Sequence, residues 1–133
     1  ALAIHYVLTL KGFKNITIFN RTKKKIRFTK NQKYTKNLKS IDKYLALGDL
    51  IINTLPKNII KASNKKLINP NTILSDIVYT PKETVFLKNF PKNEKIYGIS
   101  MLIEQAIPCF KQWFGFIPEL DLKLKQILEK KIK

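Results

Sequence analysis

Asn20 to Lys25 (NRTKKK) bring an amide, a guanidinium, a hydroxyl and several ammonium groups together directly after a short, largely apolar run, Ile16 to Phe19. Cations beside neutral donors suit a doubly negative phosphate. Charge-assisted hydrogen bonds are stronger than neutral ones, and a guanidinium can grip two phosphate oxygens at once. Asn20, Arg21, Thr22 and Lys25 are therefore the first candidates for chemistry, as a phosphate-binding turn. A run of like charge is as often a solvated turn, so the elements around it must decide. Elsewhere the reactive residue types are sparse. His5 and Cys109 are the single histidine and cysteine, too few for a zinc site or an internal disulfide, so no metal is expected and a reducing compartment, the cytoplasm, is favoured. They form no catalytic pair, and both are read as packing residues.

The 133 residues suit one domain or part of one, and 44% hydrophobic residues allow a real core. No apolar segment approaches the roughly 20 residues that cross a bilayer, so no membrane partner is expected. The 26 Lys and Arg against 9 Asp and Glu give a net charge of +17, which would attract nucleic acid without regard to base sequence. The basic residues are 24 Lys and only 2 Arg, whereas base recognition leans on the planar arginine fork. Abundant Lys, Ile and Asn share A- and T-rich codons, which explains the charge as a solvated lysine coat. A basic nucleic-acid-binding protein is kept as a second reading.

Ala1 to Leu10 has the pattern of an apolar helix, ended by Lys11 and Gly12. It starts without a capping residue, which suggests a cut chain. The spacing predicts strands at Ile16 to Phe19, Leu50 to Asn53 and Ile73 to Tyr79, with a short one ending at Ile96 and Tyr97. Ile26 to Lys39 is polar and lysine-rich with no clear element, and Ile59 to Lys66 is weakly helical. Met101 to Phe114 has helical spacing that Pro108 should bend or interrupt. A last amphipathic helix is predicted to open at Pro118 and run through Leu120, Leu124, Ile127 and Leu128.

Strands alternating with helices imply an α/β fold, a Rossmann-like doubly wound and mostly parallel sheet. Ligands bind such sheets at the carboxyl ends of strands, which selects Asn20 to Lys25, Asn53 to Pro56, Asp76 to Thr84 and Gly98 to Gln105. In a dinucleotide-binding sheet the residue ending the second strand meets the adenosine ribose, where a carboxylate favours NAD and basic residues accommodate the extra phosphate of NADP. Asn20 is neutral and is followed by Arg21, Thr22 and Lys25, which points to NADP. The glycine-rich turn would lie ahead of the first helix, where this chain begins.

Several stretches together resemble the carboxyl-terminal half of the shikimate dehydrogenase family. Ala1-Leu2-Ala3-Ile4 looks like the tail of a G-x-G-G-A-[AS]-x-A turn and helix, and Asn20-Arg21-Thr22 is similar to the family's N-R-T after a strand. IINTLP at Ile51 to Pro56, DIVYTPKETVFL at Asp76 to Leu87 and GISMLIEQA at Gly98 to Ala106 follow in the family's order and spacing. Phe110 to Gly115 (FKQWFG) resembles its aromatic ending before a last helix.

The resemblance implies an NADP-dependent oxidoreductase of aromatic amino-acid biosynthesis, interconverting 3-dehydroshikimate and shikimate. It implies that Asn20, Arg21, Thr22 and Lys25 hold the 2′-phosphate side of NADP. Ile77 and Gly98 then line the nicotinamide region with Met101 beside them, and Tyr79 and Gln105 reach the small-molecule substrate. Leu55 stands where the family usually has Thr or Ser, so a hydroxyl near the cofactor is lost unless Thr54 replaces it. Ser100 replaces a usual glycine, which bears on the nicotinamide contact, and Val85 replaces a common proline. As purely structural residues, Tyr79 would cover a sheet edge, Gln105 would sit at the surface, Gly98 would supply a turn and Met101 would fill the core.

In the family the lysine and aspartate that move the substrate proton belong to an amino-terminal domain, so residues 1–133 are expected to be an incomplete carboxyl-terminal NADP-binding domain with no catalytic residue of their own. The missing first strand would lie between the Ile16 to Phe19 and Leu50 to Asn53 strands, and without it the fragment is expected to be unstable or rearranged. The same residues are compatible with a stand-alone NADP-binding module, and with a related enzyme acting on quinate. The oligomeric state, a homodimer included, is left open.

Overall fold

The computed structural model describes residues 2–20, 35–56, 60 and 66–132. They fall into two compact units, Ala1–Ala46 and Leu47–Lys133.

The first unit opens with α1 (Leu2–Leu10). Gly12 ends it at φ 88°, a left-handed conformation that glycine enters without a Cβ penalty. The Phe13 N–H then reaches back to the Leu8 carbonyl at 3.1 Å and the Gly12 N–H to the Thr9 carbonyl at 3.0 Å, which satisfies carbonyls the helix leaves over. No residue of α1 is buried, although the helix is apolar apart from His5 and Thr9. Strand β1 (Ile18–Asn20) begins later than the spacing predicts and pairs in parallel with β2 (Thr35–Asn37), Asn20 opposite Asn37. The Asn37 side chain caps a 3-10 turn, Leu38–Ser40, by accepting the Lys39 N–H at 2.9 Å. Next comes α2 (Asp42–Leu45), whose Tyr44 ring lies 5.4 Å from Phe19 and beneath the Lys36 ammonium at 4.8 Å. Such contacts anchor an element whose surface is otherwise polar.

The second unit holds the larger core. Strands β3 (Leu50–Asn53), β4 (Ile73–Asp76) and β5 (Lys95–Ile96) form a parallel sheet in that order. Parallel strands need a crossover between them, and the short helix α3 (Val85–Lys88) lies on the path from β4 to β5. Leu74 from the sheet, Phe86 and Leu87 from α3, and Ile99 and Ile103 from the helix that follows are buried together with Phe90. Each such side chain contributes about 1.5–3 kcal/mol by leaving water. Phe86 and Phe90 meet edge to face at 5.8 Å. Thr72, almost fully buried, donates its hydroxyl to the Gly48 carbonyl at 2.7 Å and so ties the start of β4 to the start of β3.

Besides β1, strand β5 ends at Ile96 because Tyr97 is already the cap of the next helix, and three further boundaries differ from those the spacing predicts. Strand β4 stops at Asp76 and not at Tyr79, because the Asp76 carboxylate accepts the Val78 N–H at 3.0 Å and turns the chain. Helix α4 (Gly98–Phe114) starts three residues before Met101 and continues through Pro108 to Gly115, where φ is 78°. Helix α5 (Leu122–Lys131) does not open at Pro118, because Asp121 is its cap and accepts the Leu124 N–H at 2.6 Å. Cys109 is exposed and so is not a packing residue. The weak helix at Ile59 to Lys66 and most of Ile26 to Lys39 lie outside the described residues.

Parallel strands alternating with helices are the α/β class expected from the sequence. Among the described residues no helix is long and apolar enough to cross a membrane.

Candidate functional site

The carboxyl ends of β3, β4 and β5 lie side by side in the second unit, because Asn53 is in register with Asp76 and Ser75 with Ile96. Backbone leaving a strand here loses its ladder partners, so the polar groups need others. Side chains supply them. Asn53 closes the turn after β3, its Oδ1 accepting the Leu55 N–H and its Nδ2 donating to the Leu55 carbonyl, both at 3.2 Å. The same Nδ2 donates to Asp76 Oδ2 at 3.2 Å. Asp76, 2% exposed, also takes the Thr84 hydroxyl on Oδ2 at 2.7 Å and the Val78 N–H on Oδ1 at 3.0 Å. Thr84 in turn caps α3 by accepting the Leu87 N–H at 3.4 Å. A buried carboxylate is costly unless hydrogen-bonded, and three donors meet that requirement here.

Above this cluster α4 begins. Gly98 is its first residue and is buried, and a β-carbon there would lie 2.6 Å from the Ile77 carbonyl oxygen and 2.7 Å from that of Val78. Only glycine allows the helix to approach the backbone so closely. Gly98, Met101 and Gln105 follow at i, i+3 and i+7 on one face of α4, while Ile99 and Ile103 on another face enter the core. The helix N-terminus, with its partial positive charge, therefore sits at the carboxyl edge of the sheet.

The sequence-predicted residues are spread over both units. Gly98 and the Ile77 backbone are brought into close approach. Met101 is half-buried one turn along α4, and Gln105 is exposed on the same helix. Thr54 is half-buried directly after β3. Tyr79 is exposed at 42% beyond the Asp76 turn. In the first unit Asn20 ends β1 and is half-buried. Arg21, Thr22 and Lys25 lie outside the described residues. Asn53, Asp76 and Thr84 fall within the segments that the sequence selects, but their joining into one hydrogen-bonded cluster is not among its expectations. The available signal is a polar residue with a local acceptor, Asn or Asp, at the end of each of two neighbouring apolar strands. Among the described residues no group of three or more His, Cys, Asp or Glu could hold a metal ion.

No protein-family model matches the chain. Among curated proteins, the NADP-dependent shikimate dehydrogenase of Bartonella quintana is 31% identical over 97% of this chain and 50% of its own length. Among solved structures, shikimate dehydrogenase from Aquifex aeolicus is 28% identical with a TM-score of 0.68, covering 88% of this chain and 45% of that one. Quinate dehydrogenase from Corynebacterium glutamicum, in complex with NAD, is 20% identical with a TM-score of 0.75 over 95% of this chain and 50% of that one, a likeness of fold. The chain spans about half the length of the curated relatives it matches. This chain is a homologue of the shikimate dehydrogenases over about half of their length.

Proposed function

We propose that this chain is the NADP-binding part of an enzyme that interconverts 3-dehydroshikimate and shikimate. The observation that carries the reading is 31% identity to an NADP-dependent shikimate dehydrogenase across 97% of the chain. The local chemistry supports it. A neutral Asn20 at the end of β1 puts no carboxylate where a 2′-phosphate would be repelled. Arg21, Thr22 and Lys25 follow it in sequence and supply cations and a hydroxyl for that phosphate.

NADP held by these residues would supply hydride transfer between the substrate carbinol and its ketone. The residues of this chain bind and orient. Ile77 and Gly98 offer a close backbone wall, Thr54 a hydroxyl and Met101 a flexible apolar surface to the cofactor. Tyr79 and Gln105 offer a phenol and an amide that hydrogen-bond a polyhydroxylated acid without adding charge to the hydride path. The proton that leaves the substrate hydroxyl is assigned to a lysine and an aspartate outside these 133 residues, as the resemblance implies.

The test is retention of the protein, as its gene encodes it, on immobilised 2′,5′-ADP, followed by a spectrophotometric assay of shikimate-dependent NADP reduction. Specific elution by NADP with turnover of shikimate is expected. No retention, or turnover with NAD alone, would overturn the proposal.

A further inference from the structure

A single carboxylate holds three separate pieces of backbone at the edge of the β3-β4-β5 sheet. Through Val78 it fixes the turn leaving β4, through Asn53 the turn leaving β3, and through Thr84 the start of α3. The piece it holds most directly is also the piece that Gly98 rests on. Ile77 and Val78 are pinned on one side by Asp76 and met on the other by the first residue of α4, with no room for even a β-carbon. The Ile77 N–H is taken by the Asn53 carbonyl at 3.1 Å, so the strand ladder and the carboxylate together fix this dipeptide.

A neutral side chain of the same shape could not replace the carboxylate. Oδ1 faces one donor, the Val78 N–H, and Oδ2 faces two, the Asn53 amide and the Thr84 hydroxyl. With an amide at position 76, whichever way it turned, its NH2 would confront at least one of these donors. Even with the Thr84 hydroxyl turned to accept, an NH2 in the place of Oδ2 would still meet the Asn53 amide, and one in the place of Oδ1 the Val78 N–H.

We infer that Asp76 is a positioning residue, whose carboxylate sets the Ile77–Val78 backbone against Gly98 and through it the seat of the nicotinamide end of the cofactor. This rests on the cofactor reading above. Asp76 touches neither cofactor nor substrate in this role. It acts through the two peptide units that follow it.

The experiment compares the affinities of the protein, as its gene encodes it, for NADP and for 2′,5′-ADP, which lacks the nicotinamide half. Asp76→Asn is expected to weaken NADP on the order of tenfold while leaving 2′,5′-ADP unchanged. Thr84→Val, which removes one donor to the carboxylate, is expected to do the same to a smaller extent, with Thr84→Ser restoring the unmodified affinity. These two variants decide the matter should Asp76→Asn fail to fold. Equal weakening of both ligands in a folded variant would show a general structural role and overturn the inference, as would no weakening of either. Failure of the unmodified protein to bind either ligand would remove the cofactor reading and this inference with it. That outcome is distinct because it comes before any substitution.

Discussion

Gly98 approaches the carbonyls of Ile77 and Val78 so closely that a β-carbon on it would stand 2.6 Å and 2.7 Å from their oxygens. Real β-carbons do not tolerate such distances against backbone, and here neither neighbour is a flexible side-chain end. Gly98→Ala should therefore force α4 away from the end of β4. The expected cost is about 1–3 kcal/mol, read as a lowered midpoint of chemical denaturation, with NADP affinity falling as well. An unchanged midpoint would mean that α4 can slide without cost.

The side-chain amide of Asn93 donates to three carbonyls, those of Asn69 at 2.8 Å, Pro70 at 3.2 Å and Thr72 at 2.9 Å. It locks the turn that feeds β4. Asn93→Ala should cost about 1–2 kcal/mol of stability. Asn93→Asp should cost more at neutral pH, because a carboxylate would face three oxygens with no proton to share. Denaturation of both variants checks the order, and a milder effect from Asp than from Ala would contradict the arrangement.

Asp121 caps α5 through the Leu124 N–H. Asp121→Ala should remove about 1 kcal/mol from the helix, and Asp121→Asn, whose side-chain oxygen can still accept, should lose less. The expected signature is faster amide exchange in the first turn of α5 with little change elsewhere. Uniformly faster exchange would point to a wider role for Asp121.

Arg21 follows the neutral Asn20 at the end of β1. Under the proposed function, Arg21→Ala should weaken NADP by about tenfold or more and leave NAD nearly unaffected, since only NADP carries the 2′-phosphate. Paired titrations with the two cofactors give the ratio. An unaltered ratio would move phosphate recognition to other residues.

The sequence shows the apolar strands well and the polar turns poorly. Leu50 to Asn53 is legible to the residue because a β-branched apolar run ends at an asparagine. Thr35–Asn37 is a strand without a strand's composition, held by pairing with β1, and no periodicity announces it. Strand β4 looks longer in sequence than it is, since Ile77 and Val78 continue its apolar pattern while the Asp76 side chain diverts the backbone. The start of α4 is hidden for another reason. Tyr97, its cap, makes no side-chain capping bond.

At the candidate site, the segments follow from the rule that ligands gather at the carboxyl ends of parallel strands. The joining of Asn53, Asp76 and Thr84 depends on register across the sheet, 23 residues apart for the first pair. No local pattern encodes that distance. Glycine at position 98 is expected from sequence to supply a turn or line a cofactor. Its packing against two carbonyls emerges only with the fold.

Trp113 near the end of α4 is the single tryptophan of the chain and is 72% exposed, next in sequence to Phe114, whose ring meets those of Phe110 and Phe116. An indole in water emits at longer wavelength than one in an apolar setting. The protein thus carries its own optical reporter on that helix end. Any surface that comes to cover it will shift the emission to the blue without a label being attached.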